Sequence, residues 1–126
     1  MLWPPRGCPE HNQLMTKYLI SFPAEALVLS EEEYPIVSAD SHAMIEEAKA
    51  AGVYVFGGGI DESVAPALVG ADGTVTSETY PGSRVTGGFL VLELPAREDA
   101  VAWAAKVATA CHCAQELREF GYDPAS

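Results

Sequence analysis

The stretch Val85–Ala108, VTGGFLVLELPAREDAVAWAAKVA, decides the fold. Side chains alternate across a β-strand. Phe89, Val91 and the methylenes of Glu93 therefore share one face, and Leu90, Leu92 and Leu94 share the other. A strand that is apolar on both faces belongs in a core. Gly87 and Gly88 just before it permit a bulge or the close approach of another backbone. Pro95 breaks the strand. Val101, Ala104, Ala105 and Ala108 then recur at helical spacing, with Trp103 and Val107 beside them. The alanine content lets a partner surface come close to this helix.

Working outward, Lys17–Phe22 (KYLISF) reads as the first strand, with Tyr18, Ile20 and Phe22 on one face and Lys17, Leu19 and Ser21 on the other. Pro23 ends it. Ser30 followed by Glu33 matches a capping box, in which each side chain satisfies a free backbone N–H at a helix start. The main helix is expected to begin near Pro35 and run to Ala51, where Gly52 stops it. Its core stripe is Val37, Met44, Ala48 and Ala51, with Ile45 and Ser41 adjacent. Val53–Phe56 is the second strand. Gly57-Gly58-Gly59 then reads as a strand-exit loop that needs positive φ. Its N–H groups could also turn toward an anion, but no nucleotide motif surrounds it. Pro66–Val69 and Thr74–Thr76 flank Ala71-Asp72-Gly73, a hairpin signal. Glu78–Arg84 is a loop around Tyr80-Pro81-Gly82, and Cys113–Phe120 is the last strand.

The resulting order is strand, helix, strand, hairpin, strand, helix, strand. This is an α+β chain with the ferredoxin-like βαββαβ pattern and an inserted hairpin. Both helices then pack on one face of a four-stranded antiparallel sheet. The other face needs a cover, and a second copy of the chain is the expected one, making a homodimer. Residues 1–14, MLWPPRGCPEHNQL, read as a flexible leader ahead of a natural start at Met15, and residues 15–126 as the domain.

The 126 residues fit one domain. Seven basic against eighteen acidic residues give a net charge of −11. Such a surface repels phosphate backbones and anionic lipid, so neither nucleic acid nor membrane is an expected partner. No apolar run approaches a membrane span, and the N-terminus lacks the pattern of a secretion signal. Cys8, Cys111 and Cys113 make no disulfide framework and read as reduced thiols in a cytoplasm. On a strand, Cys111 and Cys113 would share one face and His112 the other, a poor chelate, so no metal is expected. No cofactor motif is present.

The pieces KYLISF, IEEAKAAGVYVFGGG, DGTVTSETYPGSRVTGGFLVLELP, EDAVAWAAKVA and ELREFGYDP together resemble the YciI-related family, also called the YCII or DGPF-domain family. The resemblance covers about residues 15–126. It implies a dimeric ferredoxin-like α/β barrel with a cleft in each subunit. Family functions are mostly unassigned. Some relatives are linked to dehalogenation in aromatic degradation, and others to transcription through neighbouring or fused sigma-factor-like proteins. Simple members carry a His on the first helix and an Asp near the last helix–strand junction as a proposed active pair. His42 stands at the position of that His. The junction here reads Ala110-Cys111-His112-Cys113, without the Asp. The D-G-P-F loop reads Thr76-Ser77-Glu78-Thr79-Tyr80-Pro81.

His42 is the sharpest catalytic candidate, because an imidazole titrates near neutral pH and can act as general acid or base. Glu46, four residues on, shares its helix face and could orient it. Tyr18, Ser21, Tyr54 and Glu93 are the strand residues that could line a ligand-binding cleft. One reading is a small-molecule-binding homodimer with His42 at the cleft mouth and lyase- or dehalogenase-like proton transfer. The other is a non-catalytic interaction module associated with transcription machinery. A third is a scaffold whose cleft is filled by its own side chains.

Overall fold

The computed structural model describes residues 15–126. Along the chain lie β1 (Thr16–Phe22), α1 (Glu33–Ala50), β2 (Tyr54–Gly59), β3 (Leu68–Val69), β4 (Val75–Thr76), β5 (Gly88–Leu94), α2 (Arg97–Cys111) and β6 (Glu116–Glu119). A short 3-10 turn, Ala24–Ala26, follows Pro23. The main sheet has the order β2-β5-β1-β6, and every neighbouring pair is antiparallel. Over the described residues the chain is thus α+β, with two α-helices and antiparallel sheets, compatible with a ferredoxin-like fold. Among the described residues β3 and β4 pair only with each other, around the expected Asp72-Gly73 turn. The expected leader, residues 1–14, lies outside the described residues. No helix among the described residues is long and apolar enough to cross a membrane.

Strand register sorts the sheet into two faces. On the helix side, Tyr54, Leu92 and Tyr18 align across β2, β5 and β1, and Gly57, Leu90, Ile20 and Leu117 form the next row. Leu90, Leu92, Leu94, Tyr18 and Ile20 are all buried there, against Met44 and Ala48 of α1 and Ala100, Val107, Ala110 and Cys111 of α2. On the other side Phe56, Val91, Leu19 and Arg118 align. Of these, Val91 and Leu19 are half-buried, and Phe56 is 60% exposed. The α1–α2 contact carries a Lys106–Glu47 ion pair on its rim.

α1 starts at Glu33, slightly before Pro35, which its first turn tolerates. Half of the capping box forms: Ser30 N–H donates to Glu33 Oε1 at 2.9 Å. Val37, Met44 and Ala48 are the buried stripe, as expected, but Ala51 is exposed. The helix has ended at Ala50, so Ala51 no longer follows the stripe.

Several other expectations are corrected. β2 runs on through Gly57, Gly58 and Gly59 instead of stopping at Phe56, and none of these glycines has positive φ. Pairing with β5 supplies the backbone partners that glycine side chains cannot help to secure. In α2 the buried residues are Ala100, Val107, Ala110 and Cys111, with Trp103 and Ala104 partly buried, whereas Val101 and Ala105 are exposed. The stripe is turned by one position, because alanine is abundant on every side and the apolar period does not single out a face. Finally, Cys111 ends α2, His112 turns the chain in the left-handed region (φ 59), and the last strand begins only at Glu116. Cys111 and Cys113 therefore do not share a strand face. Among the described residues, no group of three or more His, Cys, Asp or Glu side chains could hold a metal ion.

Candidate functional site

The helix face of the sheet loses side-chain bulk from one end to the other. Tyr54, Leu92 and Tyr18 fill one end, and Gly59, Gly88 and Phe22 stand at the other. Tyr54 and Leu90 stand over Gly57 and the Phe22 ring lies over Gly88, but the space above Gly59 is open. A cavity of about 350 Å³ results. Gly57, Gly59 and Gly88 belong to its floor with Ile20 and Leu90. Met44 and Ile45 of α1 and Val107 and Cys111 of α2 wall it. Phe22 closes the glycine end, its ring lying so near Gly88 that an added Cβ would stand 2.7 Å from Cε1.

Three polar residues, Ser41, His42 and Gln115, also line the cavity. Ser41 Oγ donates to Ser38 O at 3.1 Å, which uses its proton and leaves its lone pairs. His42 is exposed, and its imidazole has no hydrogen-bond or ion-pair partner among the described residues. Gln115 Nε2 donates to Cys113 O at 3.2 Å, while Gln115 Oε1 is buried and accepts no hydrogen bond. Burial pushes the Cys111 thiol above its ordinary value, helped by Cys113. It therefore sits in the wall as a small apolar group with a weak donor. Among the described residues, no Lys, Arg, Asp or Glu lines this cavity.

His42 thus lines this cavity, but the other candidates are dispersed. Glu46 is exposed and its carboxylate lies 3.3 Å from Lys49 Nζ. Tyr18 is buried in the core. Tyr54 lies along β2, its hydroxyl 3.2 Å from where a Cβ on Gly57 would stand, and Lys49 Nζ sits 5.3 Å from its ring centre. Neither tyrosine is a lining residue of the cavity. Ser21 and Glu93 are on the opposite face of the sheet. Ser21 lines a second depression of about 310 Å³ with Leu19, Phe89, Arg84 and Arg118. Both arginines there are already paired, Arg84 with Glu25 and Arg118 with Glu116. Glu93 pairs with Lys17 at 3.7 Å.

Gln115 and Cys111 were not among the expected site residues. For Gln115 a signal existed: it shares parity with Leu117, whose apolar side chain marks the helix face. Cys111 was hidden by placing the helix end too early. Nearby, His112 Nδ1 lies 2.9 Å from Glu33 Oε2 and ties the end of α2 to the start of α1. The Ser30 N–H and then the His112 ring hold the Glu33 carboxyl below its ordinary value of 4.5. No protein-family model matches the chain, and no curated protein matches it.

Proposed function

We propose that this chain is a YciI-related homodimer that binds a small organic molecule in the cavity between its helices and its sheet. The cavity carries the proposal. Its volume, about 350 Å³, lies within the range of small-molecule sites, roughly 300–1,000 Å³. Its walls are apolar with a few polar groups, the usual composition of such sites. His42 stands at it, where the family resemblance places an active residue. The β2-β5-β1-β6 order supports the βαββαβ pattern and, with it, the family's dimeric barrel.

The open face of the sheet supports the dimer. Phe56, Val91 and Leu19 form an apolar row, with Phe89 in the next. Charged pairs, Lys17–Glu93 and Arg118–Glu116, border it. A contiguous exposed apolar patch marks a partner surface, and a two-fold axis lets the same patch serve both copies. Free thiols at Cys111 and Cys113 fit a reducing compartment such as the cytoplasm. Binding is better supported than proton transfer. A catalytic imidazole needs a group to orient it, and Glu46 is engaged by Lys49 instead.

Gly59→Val tests the site. A Cβ there would meet only Gly87 O, at 3.6 Å, and the backbone has no positive φ, so valine fits the strand and fills the cavity. Small one- and two-ring organic molecules should include some that raise the melting temperature of the wild type but not of a folded Gly59→Val. Compounds that stabilise both proteins equally, or none that stabilises either, would reject the cavity as the site.

A further inference from the structure

We infer that Phe22 sets how long a molecule this cavity accepts: its ring is the end wall against which an uncharged, apolar ligand stops. The inference rests on reading the cavity as a binding site and goes on to specify what limits its occupant. Phe22 and Gly88 face each other across the β1–β5 pair. The Phe22 ring leans over β5, so that a Cβ on residue 88 would stand 2.7 Å from its Cε1 and 2.8 Å from its Cζ. Bonded side chains leave no such gap, so the ring occupies this place because residue 88 is glycine. Gly59 pairs with Gly88 from the other side, and there a Cβ would meet only Gly87 O, at 3.6 Å. Across this row the ring ends and the open space begins.

The wall is held from its backbone. A Cβ on Gly87 would stand 2.1 Å from Phe22 O, and two residues on, Ala24 N–H donates to Thr86 Oγ1 at 2.9 Å. The Phe22 side chain packs, partly buried, against the core. Phe22 also lines the second depression, of about 310 Å³. One residue thus borders two open volumes, and trimming it lengthens the cavity toward the second. At the opposite end Tyr54, Leu92 and Tyr18 fill the helix face, so length is decided at Phe22. The lining sets the chemistry. Among the described residues it has no charged side chain, and an ion there would be desolvated without a counter-charge. Ile20, Met44, Ile45, Leu90 and Val107 suit an apolar body.

A series of para-alkylphenols, from para-cresol to para-hexylphenol, reads the length directly, since these molecules are neutral at neutral pH and differ only in their tails. Calorimetry on the full-length wild type should show affinity rising about fourfold with each methylene that is buried, then no further once the tail meets the ring. In Phe22→Ala the rise should continue to longer tails, and in Phe22→Trp it should stop at shorter ones. If Phe22→Ala does not fold, Phe22→Leu takes its place. A merely structural role would weaken every phenol alike and leave the stopping length where it is. Gly59→Val should lose the whole series, which marks the cavity as the place of binding.

A stopping length that is the same in wild type and in the trimmed Phe22 variant overturns the inference, while loss of binding in Gly59→Val keeps the cavity as a site. A wild type whose affinity rises through the whole series also overturns it, because no wall is then met. Failure of every phenol to bind overturns the inference and counts against the cavity reading itself.

Discussion

Replacing Gly87 with alanine should destabilise the protein by about 2–5 kcal/mol, far more than an ordinary surface change. Gly87 has φ +76, in the left-handed region, which costs a residue with a Cβ about 1–2 kcal/mol. A Cβ at this position would stand 2.1 Å from Phe22 O and 2.8 Å from both Pro23 C and Ala24 N. These are backbone atoms at the exit of β1. They cannot retreat without disturbing the Ala24 N–H bond to Thr86 Oγ1, at 2.9 Å, and the Phe22–Gly88 pairing. Forcing atoms into such a packed place adds about 1–3 kcal/mol. The sum is a large share of a typical total stability of about 5–15 kcal/mol. Urea denaturation reads the change as a lower midpoint at unchanged slope. Gly59→Ala is the control: its backbone accepts a side chain, and it should gain about 0.4–1 kcal/mol through a less flexible unfolded chain. A Gly87→Ala protein within about 1 kcal/mol of wild type, or one behaving like Gly59→Ala, would refute the reasoning.

On the proposed homodimer, the wild type should be dimeric by light scattering and Val91→Lys a folded monomer by circular dichroism and light scattering; a monomeric wild type rejects the dimer, and a dimeric variant rejects this face as the interface. Glu33→Gln should matter more at neutral than at acid pH. The folded Glu33 carboxyl lies below its ordinary 4.5, so its stabilising contribution is present above that value and is lost as pH falls through the lower folded value. Melting temperatures of wild type and Glu33→Gln should therefore draw together as the pH falls below 4.5 and through the lower folded value, and a gap that stays constant would contradict this. Burial holds the Cys111 and Cys113 thiols protonated. Iodoacetamide at mildly alkaline pH, followed by peptide mass mapping, should label both more slowly in native than in urea-unfolded protein, and Cys111 slowest; Cys111 reacting at its unfolded rate would exclude that account.

Much of the fold was legible because it rests on local chemistry. Alternation in KYLISF and FLVLEL set which side chains face the helices, and register pairs those same residues. Val37, Met44 and Ala48 recur at helical spacing and are buried. Asp72-Gly73 turns a hairpin, and the Glu33 carboxylate accepts from the Ser30 N–H. Legibility failed where side chains carry little information. Alanines surround α2, so Ala100 and Val101 compete for the core on nearly equal terms, and only the neighbouring α1 and sheet select Ala100. Three glycines look like a loop, yet an antiparallel partner makes them strand. His112 gave no sign of a helix end, because glycine is the usual residue in the left-handed position that it occupies.

For the site, the sequence reading groups Tyr18, Ser21, Tyr54 and Glu93 as one lining; alternation within β1 separates Ser21 from Tyr18, and the β1–β5 register places Glu93 on the Ser21 face. The sequence by itself determined the order of strands and helices, though not all their ends, together with the net negative charge and the His42 candidate. Tertiary structure alone decided where the cavity lies and what else reaches it. Its floor joins Gly57, Gly59 and Gly88 from separate strands, and its walls join Met44, Val107, Cys111 and Gln115 from separate elements. Such neighbours are set by register between strands and by the packing of helices across them. Neither quantity is local to any stretch of chain, so no local pattern could have shown the empty space between them.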